Sequence, residues 1–233
     1  MRECDTVLAT GGPGMVKAAY SSGKPALGVG SGNTPIIFDE SCDIKVAVSS
    51  VIHSKTFDNG TICASEQSVI VDASIYEEVK KEFRARKAYI AEGEELVKLK
   101  KIVLGANGSM NAKLVGRPAI EIAQEAGFNV PADTKLIIGE ATSTEISEPL
   151  AHEKLFPLLS MYKADDFDDA VDKADELVQG GGIGHTAGIY IDVVNNQEKL
   201  NEFERRMKAC RILVNTPSAQ GGIGDIYNFK LSP

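Results

Sequence analysis

The chain alternates short apolar runs with stretches in which apolar positions recur every three or four residues. Thr6-Val7-Leu8-Ala9 is an apolar run that stops at Thr10-Gly11-Gly12. Pro13 then opens a helical pattern over 15–20, ended by Gly23. Ala26-Leu27-Gly28-Val29 and the apolar residues of 35–38 read as strands, with Gly30-Ser31-Gly32-Asn33 as the turn between them. Asp43 is placed to cap a helix of about 14 residues with Ile44, Val48, Val51 and Ile52 on one stripe. Phe57-Asp58-Asn59-Gly60 breaks that helix, and a buried-type strand follows over 68–71. The spacing predicts an amphipathic, highly charged helix over 75–89 and another from Pro118 to Gly127. Leu136-Ile137-Ile138 reads as a strand, and a helix over 165–179 carries aspartates in its first turn. Ile189-Tyr190-Ile191, a helix over 197–209 and Ile212-Leu213-Val214 complete the series. Strands separated by helices predict an α/β fold: a mostly parallel sheet covered on both faces.

Composition narrows what such a fold could serve. Of 233 residues, 43% are hydrophobic, enough for a substantial core. Lys and Arg number 25 against 33 Asp and Glu, for a net charge of -8, which argues against a nucleic-acid or membrane-surface partner. No apolar run approaches the roughly 20 residues of a membrane span. The first residues, with Glu3 and Asp5, do not read as a signal peptide, so a cytoplasmic location is expected. The four cysteines (Cys4, Cys42, Cys63 and Cys210) have no paired spacing, and there are three histidines. No structural metal and no disulfide framework are expected.

Three groups of residues could carry chemistry. Cys63 follows a helix, a glycine break and a short loop, a setting in which a thiol can be made nucleophilic. From the residue alone, a small buried hydrophobe is the commoner reading of a lone cysteine. Gly11-Gly12-Pro13-Gly14 lies between a strand and a helix, where backbone N–H groups can meet a phosphate or ribose, although it does not satisfy G-x-G-x-x-G. Gly180-Gly181-Gly182-Ile183-Gly184-His185 ends a helix; one glycine suffices for a cap, and three imply close approach to something. His185, in that loop, suits acid–base work, whereas His53 inside the Asp43 helix reads as structural.

Together these segments resemble the aldehyde dehydrogenase superfamily. They are most similar to its CoA-acylating branch, as in the aldehyde dehydrogenase half of bacterial bifunctional aldehyde–alcohol dehydrogenases. The carrying stretches run from Leu8 to Tyr20, from Gly28 to Pro35 and from Lys55 to Gln67. Further on they are Ala151-His152-Glu153-Lys154-Leu155, Gly181-Gly182-Ile183-Gly184-His185-Thr186 and Asn215-Thr216-Pro217 through Gly221-Gly222-Ile223-Gly224-Asp225. The resemblance implies an aldehyde dehydrogenase-like fold, with residues 1–32 a remnant of the NAD-binding domain, 33–215 the cysteine-bearing catalytic domain and 216–233 a return toward the cofactor domain. It implies Cys63 as nucleophile and His185 as a site histidine. Gly11 and Gly12 fall beside the nicotinamide end of the cofactor, Glu153 on its ribose, and Leu155 in the place of an aromatic neighbour. NAD is the implied cofactor, CoA and a small aldehyde the substrates, and a homo-oligomer the state of the intact protein. Hydrolytic relatives carry a Glu-Leu-Gly-Gly motif whose glutamate activates water. Gly28-Val29-Gly30-Ser31 stands there instead, with no carboxylate, which favours transfer to a thiol over hydrolysis.

The family's unit is about twice this length, and most of its pyrophosphate- and adenosine-binding region is not expected here. The alternative reading is therefore a fragment without turnover that serves only in interactions.

Overall fold

The computed structural model describes residues 1–106 and 108–223. The segment 224–233 of the expected return toward the cofactor domain, Asp225 included, lies outside the described residues.

Two parallel sheets make up the fold. The smaller pairs β1 (Val7–Thr10) with β2 (Ala26–Val29) across α1 (Pro13–Tyr20). The larger has seven parallel strands. In chain order they are β3 (Thr34–Phe38), β4 (Glu66–Asp72), β5 (Ala88–Ala91), β6 (Leu136–Glu140), β7 (Leu158–Ala164), β8 (Thr186–Tyr190) and β9 (Arg211–Val214). In space the order is β5-β6-β7-β4-β3-β8-β9. The central strands are buried along almost all their length, with apolar residues through most of it, as parallel strands covered on both faces must be.

Helices lie on both faces. On one, α2 (Ile44–Thr56) and α3 (Tyr76–Ala85) bury Val48, Val51, Val79 and Phe83 against Ile36, Phe38, Val69 and Val71. On the other, α4 (Gly93–Val103), α5 (Ala119–Ala126), α6 (Phe167–Gly181) and α7 (Gln197–Arg206) cover Ile37, Ile70, Ile137 and Ile189. A last short helix, α8 (Ser218–Ile223), follows β9. Among the described residues no helix is long and apolar enough to cross a membrane.

Local signals placed most boundaries. Asp43 accepts from the Val46 N–H and starts α2, and Asp166 accepts from the Asp169 N–H and starts α6. Gly127 closes α5 in the left-handed region at φ 82°. Three expectations fail. The helix over 75–89 ends at Ala85, and Tyr89 belongs to strand β5. Lys87, at φ 70°, turns the chain there. Helix α7 stops at Arg206, three residues short of the expected end. His53 is not structural: it sits on the exposed face of α2.

Replacing Asp43 by Ala removes the α2 cap. The expected loss is about 1 kcal/mol in denaturant unfolding with the m-value unchanged.

Candidate active site

Strand order assembles the site. Gly32, Cys63, Glu153, His185 and Arg211 each lie at or just before the amino end of β3, β4, β7, β8 and β9, and these five strands are neighbours in the sheet. Loops far apart in sequence therefore meet at one rim.

Gly32 is where they touch. A Cβ on it would come within 2.8 Å of the Cys63 carbonyl oxygen and 3.0 Å of His185 Nδ1. Its N–H donates to Glu153 Oε1 at 3.1 Å. The next residue, Asn33, is buried, and its Nδ2 donates to the Ala151 and Leu177 carbonyls at 2.8 and 3.0 Å. A Cβ on Gly182 would lie 2.7 Å from the Asn33 nitrogen, so the glycine run after α6 does make a close backbone approach.

The Cys63 turn is shaped by what precedes it. After α2, Asp58, Asn59 and Gly60 take positive φ of 47°, 49° and 77°. Gly60 packs on the Phe156 peptide, where a Cβ would meet the carbonyl carbon at 2.8 Å. That contact brings the turn against the loop that carries Glu153. Ser65 N–H closes the turn on the Ile62 carbonyl.

The electrostatics correct one expectation. Cys63 is not held low as a ready thiolate: burial pushes its thiol up, and the nearby Glu153 carboxylate pushes it further. Backbone N–H groups and the Arg211 cation act the other way. A carboxylate thus stands near the sulfur after all, supplied by Glu153 and not by the Gly28–Ser31 segment. Glu153 is itself raised by burial, against the Gly32 hydrogen bond and the Lys55 and Lys154 charges. His185 is lowered by burial and then by Arg211, which favours the neutral ring; its Nδ1 lies 3.0 Å from the Thr186 hydroxyl.

A cavity of about 430 Å³ opens beside this rim, lined by Gly12, Ser31, Asn33, Glu153, Gly180 and Gly181 among others. Of the residues assigned to cofactor binding, Gly12 and Glu153 are in its wall. Gly11 is one residue back, its N–H bonded to the Val29 carbonyl at 3.0 Å. Leu155 is also outside the wall; its N–H points at Met110 Sδ, and Met110 lines the cavity. A larger groove of about 640 Å³ runs between 142–146 and α6, but Glu145, Asp169, Asp172 and Glu176 make it acidic and none of the site residues lines it. Among the described residues no cluster of three His, Cys, Asp or Glu could hold a metal ion.

Sequence reasoning passed over Arg211, Asn33 and a buried polar group behind the rim. Lys55, Glu66, Gln67 and Lys154 are all fully buried. Lys55 was legible: it falls on the same α2 stripe as Val51 and Ile52.

A parallel sheet that gathers a cysteine, a histidine and a glutamate around one glycine defines an α/β domain with a thiol at its centre. The sequence model of the aldehyde dehydrogenase family matches residues 3–224, and the chain belongs to that family. It is 58% identical over 231 residues to the bifunctional aldehyde-alcohol dehydrogenase AdhE of Escherichia coli, covering 99% of this chain and 26% of that protein. Among solved structures, an acetylating aldehyde dehydrogenase from Geobacillus thermoglucosidasius superposes with TM-score 0.90 at 46% identity, over 94% of this chain and 48% of that one. Propionaldehyde dehydrogenase of Rhodopseudomonas palustris, solved with bound CoA and an acylated cysteine, matches at TM-score 0.85 and 29% identity, over 96% of this chain and 50% of that one. The chain thus spans about a quarter of the curated relative and half of the solved ones.

Gly32→Ala and Gly12→Ala separate a crowded glycine from an open one. Gly32→Ala should cost about 1–3 kcal/mol in denaturant unfolding through overpacking. Gly12→Ala, with nothing within 4 Å of the new Cβ, should stay within about 0.5 kcal/mol of the parent.

The buried lysines make stability pH-dependent. Burial lowers Lys55 from 10.5 to about 7, and it lowers Lys154 as well. In that interval the unfolded chain binds more protons than the folded one, so stability rises with pH. Unfolding free energy should increase by about 1–2 kcal/mol between about pH 7 and about pH 8.5, below the range where the raised thiols reverse the sign. A flat or falling curve from equilibrium denaturation would contradict the buried amines.

Proposed function

We propose that the chain carries the thiol-bearing part of a site that interconverts an aldehyde with an acyl-CoA, using a nicotinamide dinucleotide as hydride carrier. The observation that carries this reading is the convergence of Cys63, His185 and Glu153 on Gly32. The acetylating and CoA-bound relatives supply the substrate class.

The cavity wall suits the nicotinamide-riboside end of such a carrier. Asn33 Oδ1 is buried there without a protein partner, an acceptor open to a ligand's N–H or O–H. Glu153 offers a carboxylate for hydroxyls, and Gly12 presents the amino end of α1 with open space before it. Gly11, behind it, and Leu155, beside Met110, shape this wall. Bound along it, NAD would supply the hydride acceptor.

The remaining chemistry belongs to the chain. The Cys63 sulfur bonds to the aldehyde carbon, and the carbonyl oxygen becomes an oxyanion. Backbone N–H groups at the Cys63 turn and the Arg211 cation, which favour an anion on the sulfur, would stabilise that charge too. Because the thiol is held protonated, it needs a proton acceptor; Glu153 is close enough to act on the sulfur, and neutral His185 meets the Cys63 backbone carbonyl at Gly32. After hydride loss the acyl group remains on Cys63 as a thioester. The CoA thiol then attacks it, the Cys63–acyl bond breaks, and the Cys63 thiol is regenerated with acyl-CoA as product. One thioester replaces another, so this step needs no energy input.

That last step, run backwards, needs no hydride carrier. Acetyl-CoA should transfer one acetyl group to Cys63, read by peptide mass spectrometry, with an equal amount of CoA released. Cys63→Ala should abolish it, and added CoA should reverse it. Acetylation spread over Cys4, Cys42 and Cys210, or unaffected by Cys63→Ala, sinks the assignment. No acetylation of a folded chain would leave only the interaction role. Loss of the acetyl group to water faster than to CoA would make Glu153 a water-activating base and the site hydrolytic.

A further inference from the structure

Behind the rim lies a buried polar group that no step above uses. Lys55 reaches from α2 into the interior, fully buried, and donates to the Lys154 carbonyl at 2.7 Å and to Gln67 Oε1 at 3.2 Å. The same Gln67 oxygen accepts the Lys154 N–H at 2.7 Å. Both polar groups of residue 154 are thereby tied to α2 and β4. Lys154 turns its own ammonium back onto the Leu150 and His152 carbonyls at 2.7 and 2.6 Å. Glu153 sits between these ties, and its carboxylate reaches Gly32.

Burying two cations is costly, and packed apolar side chains of similar volume would serve an ordinary core at least as well. The lysines instead sit where the loop bearing Glu153 crosses the interior in irregular backbone. We propose that Lys55 is a positioning residue of the thiol site, clamping the Lys154 peptide so that the Glu153 carboxylate is held against Gly32, near Cys63. This rests on the reading of Cys63 as the acyl acceptor.

Charge runs the same way as geometry. Lys55 faces Glu66 from β4, and Glu153 and Lys154 from the loop. Its charge favours the ionised form of Glu153. Glu153 in turn acts on the Cys63 sulfur. A change at Lys55 should therefore reach the thiol through Glu153 without touching it.

The test reads Glu153 at its hydrogen-bond partner. In the full chain labelled with nitrogen-15, the Gly32 amide shift is followed against pH, and its midpoint reports the ionisation of Glu153. Lys55→Met keeps the stem without the charge or the donor. Lys55→Gln keeps a polar side chain without the charge, and serves if the Met variant does not fold. In either variant the Gly32 midpoint should move upward by about one pH unit. Acetylation of Cys63 by acetyl-CoA should slow about tenfold, with the half-saturating acetyl-CoA concentration unchanged, a split that general loosening would not produce. An unchanged midpoint in a folded variant, with Cys63 still acetylated at the parent rate, overturns the proposal. Parent protein that never acetylates Cys63 overturns the acyl-acceptor reading instead, and the amide titration then judges the clamp by itself.

Discussion

The space around the Gly32 Cα admits a hydrogen atom and no more. The Cys63 carbonyl, the His185 ring and the Glu153 carboxylate close on it from three separate loops. Those loops meet because β7, β4, β3 and β8 are consecutive in the sheet, although β3 and β8 lie about 150 residues apart in the chain. Hydrogen-bonded strand register holds the loops together, and a Cβ at position 32 would require one of them to shift. Gly182 repeats the device one layer out, its backbone lying against Asn33. Close-packed interiors transmit such displacement and do not absorb it.

What the rim needs from the interior follows from the irregular loop before β7. A chain crossing a core outside helix or strand exposes carbonyls that must be paired. Leu150 is satisfied by both the Ser160 hydroxyl and the Lys154 ammonium, His152 by Lys154, and residue 154 by Lys55 and Gln67. Glu66, also fully buried, accepts the Ser218 N–H and so secures the start of α8 near the same region. The buried charges and amides are thus the counterpart of the irregular backbone. That backbone is what lets Glu153 reach a strand two places away in the sheet.

Much of this fold was legible because local chemistry and tertiary packing agree. Caps at Asp43 and at Gly127 and the apolar runs of β3, β6 and β9 read directly from the residues. Strand β7 was passed over because Leu158–Ala164 shows no alternation and contains Ser160, Tyr162 and Lys163, polar groups that only the fold explains. Strand β5 and helix α4 were hidden in charged sequence, where helix propensity masks a short strand such as Ala88–Ala91. At the site, Cys63 stood out only through family resemblance, since a lone thiol has no local signature. Arg211 could not be read at all: its value lies in neighbours brought in by β8 and β4. Lys55 could have been, as a cation on an apolar stripe.

The placement of the thiol also explains its resting state. In open parallel sheets, ligands usually meet the carboxyl ends of strands, where the following helices present their positive amino ends. The β1–α1 unit obeys that rule, with Gly12 at the start of α1 on the cavity wall. The seven-stranded sheet offers its other rim. There the helices end: α2 finishes at Thr56 before Cys63, and α6 at Gly181 before His185. Helix carboxyl ends disfavour an anion, as burial and Glu153 already do. A thiolate at this rim therefore depends on cations placed by tertiary structure, Arg211 among them. The amino end of α1 lies on the cavity wall at Gly12, and that of α8 meets the buried Glu66. The cavity wall thus holds both the helix start at Gly12, from the smaller sheet's carboxyl end, and Glu153, from the larger sheet's amino end. Neither sheet could supply both from a single rim.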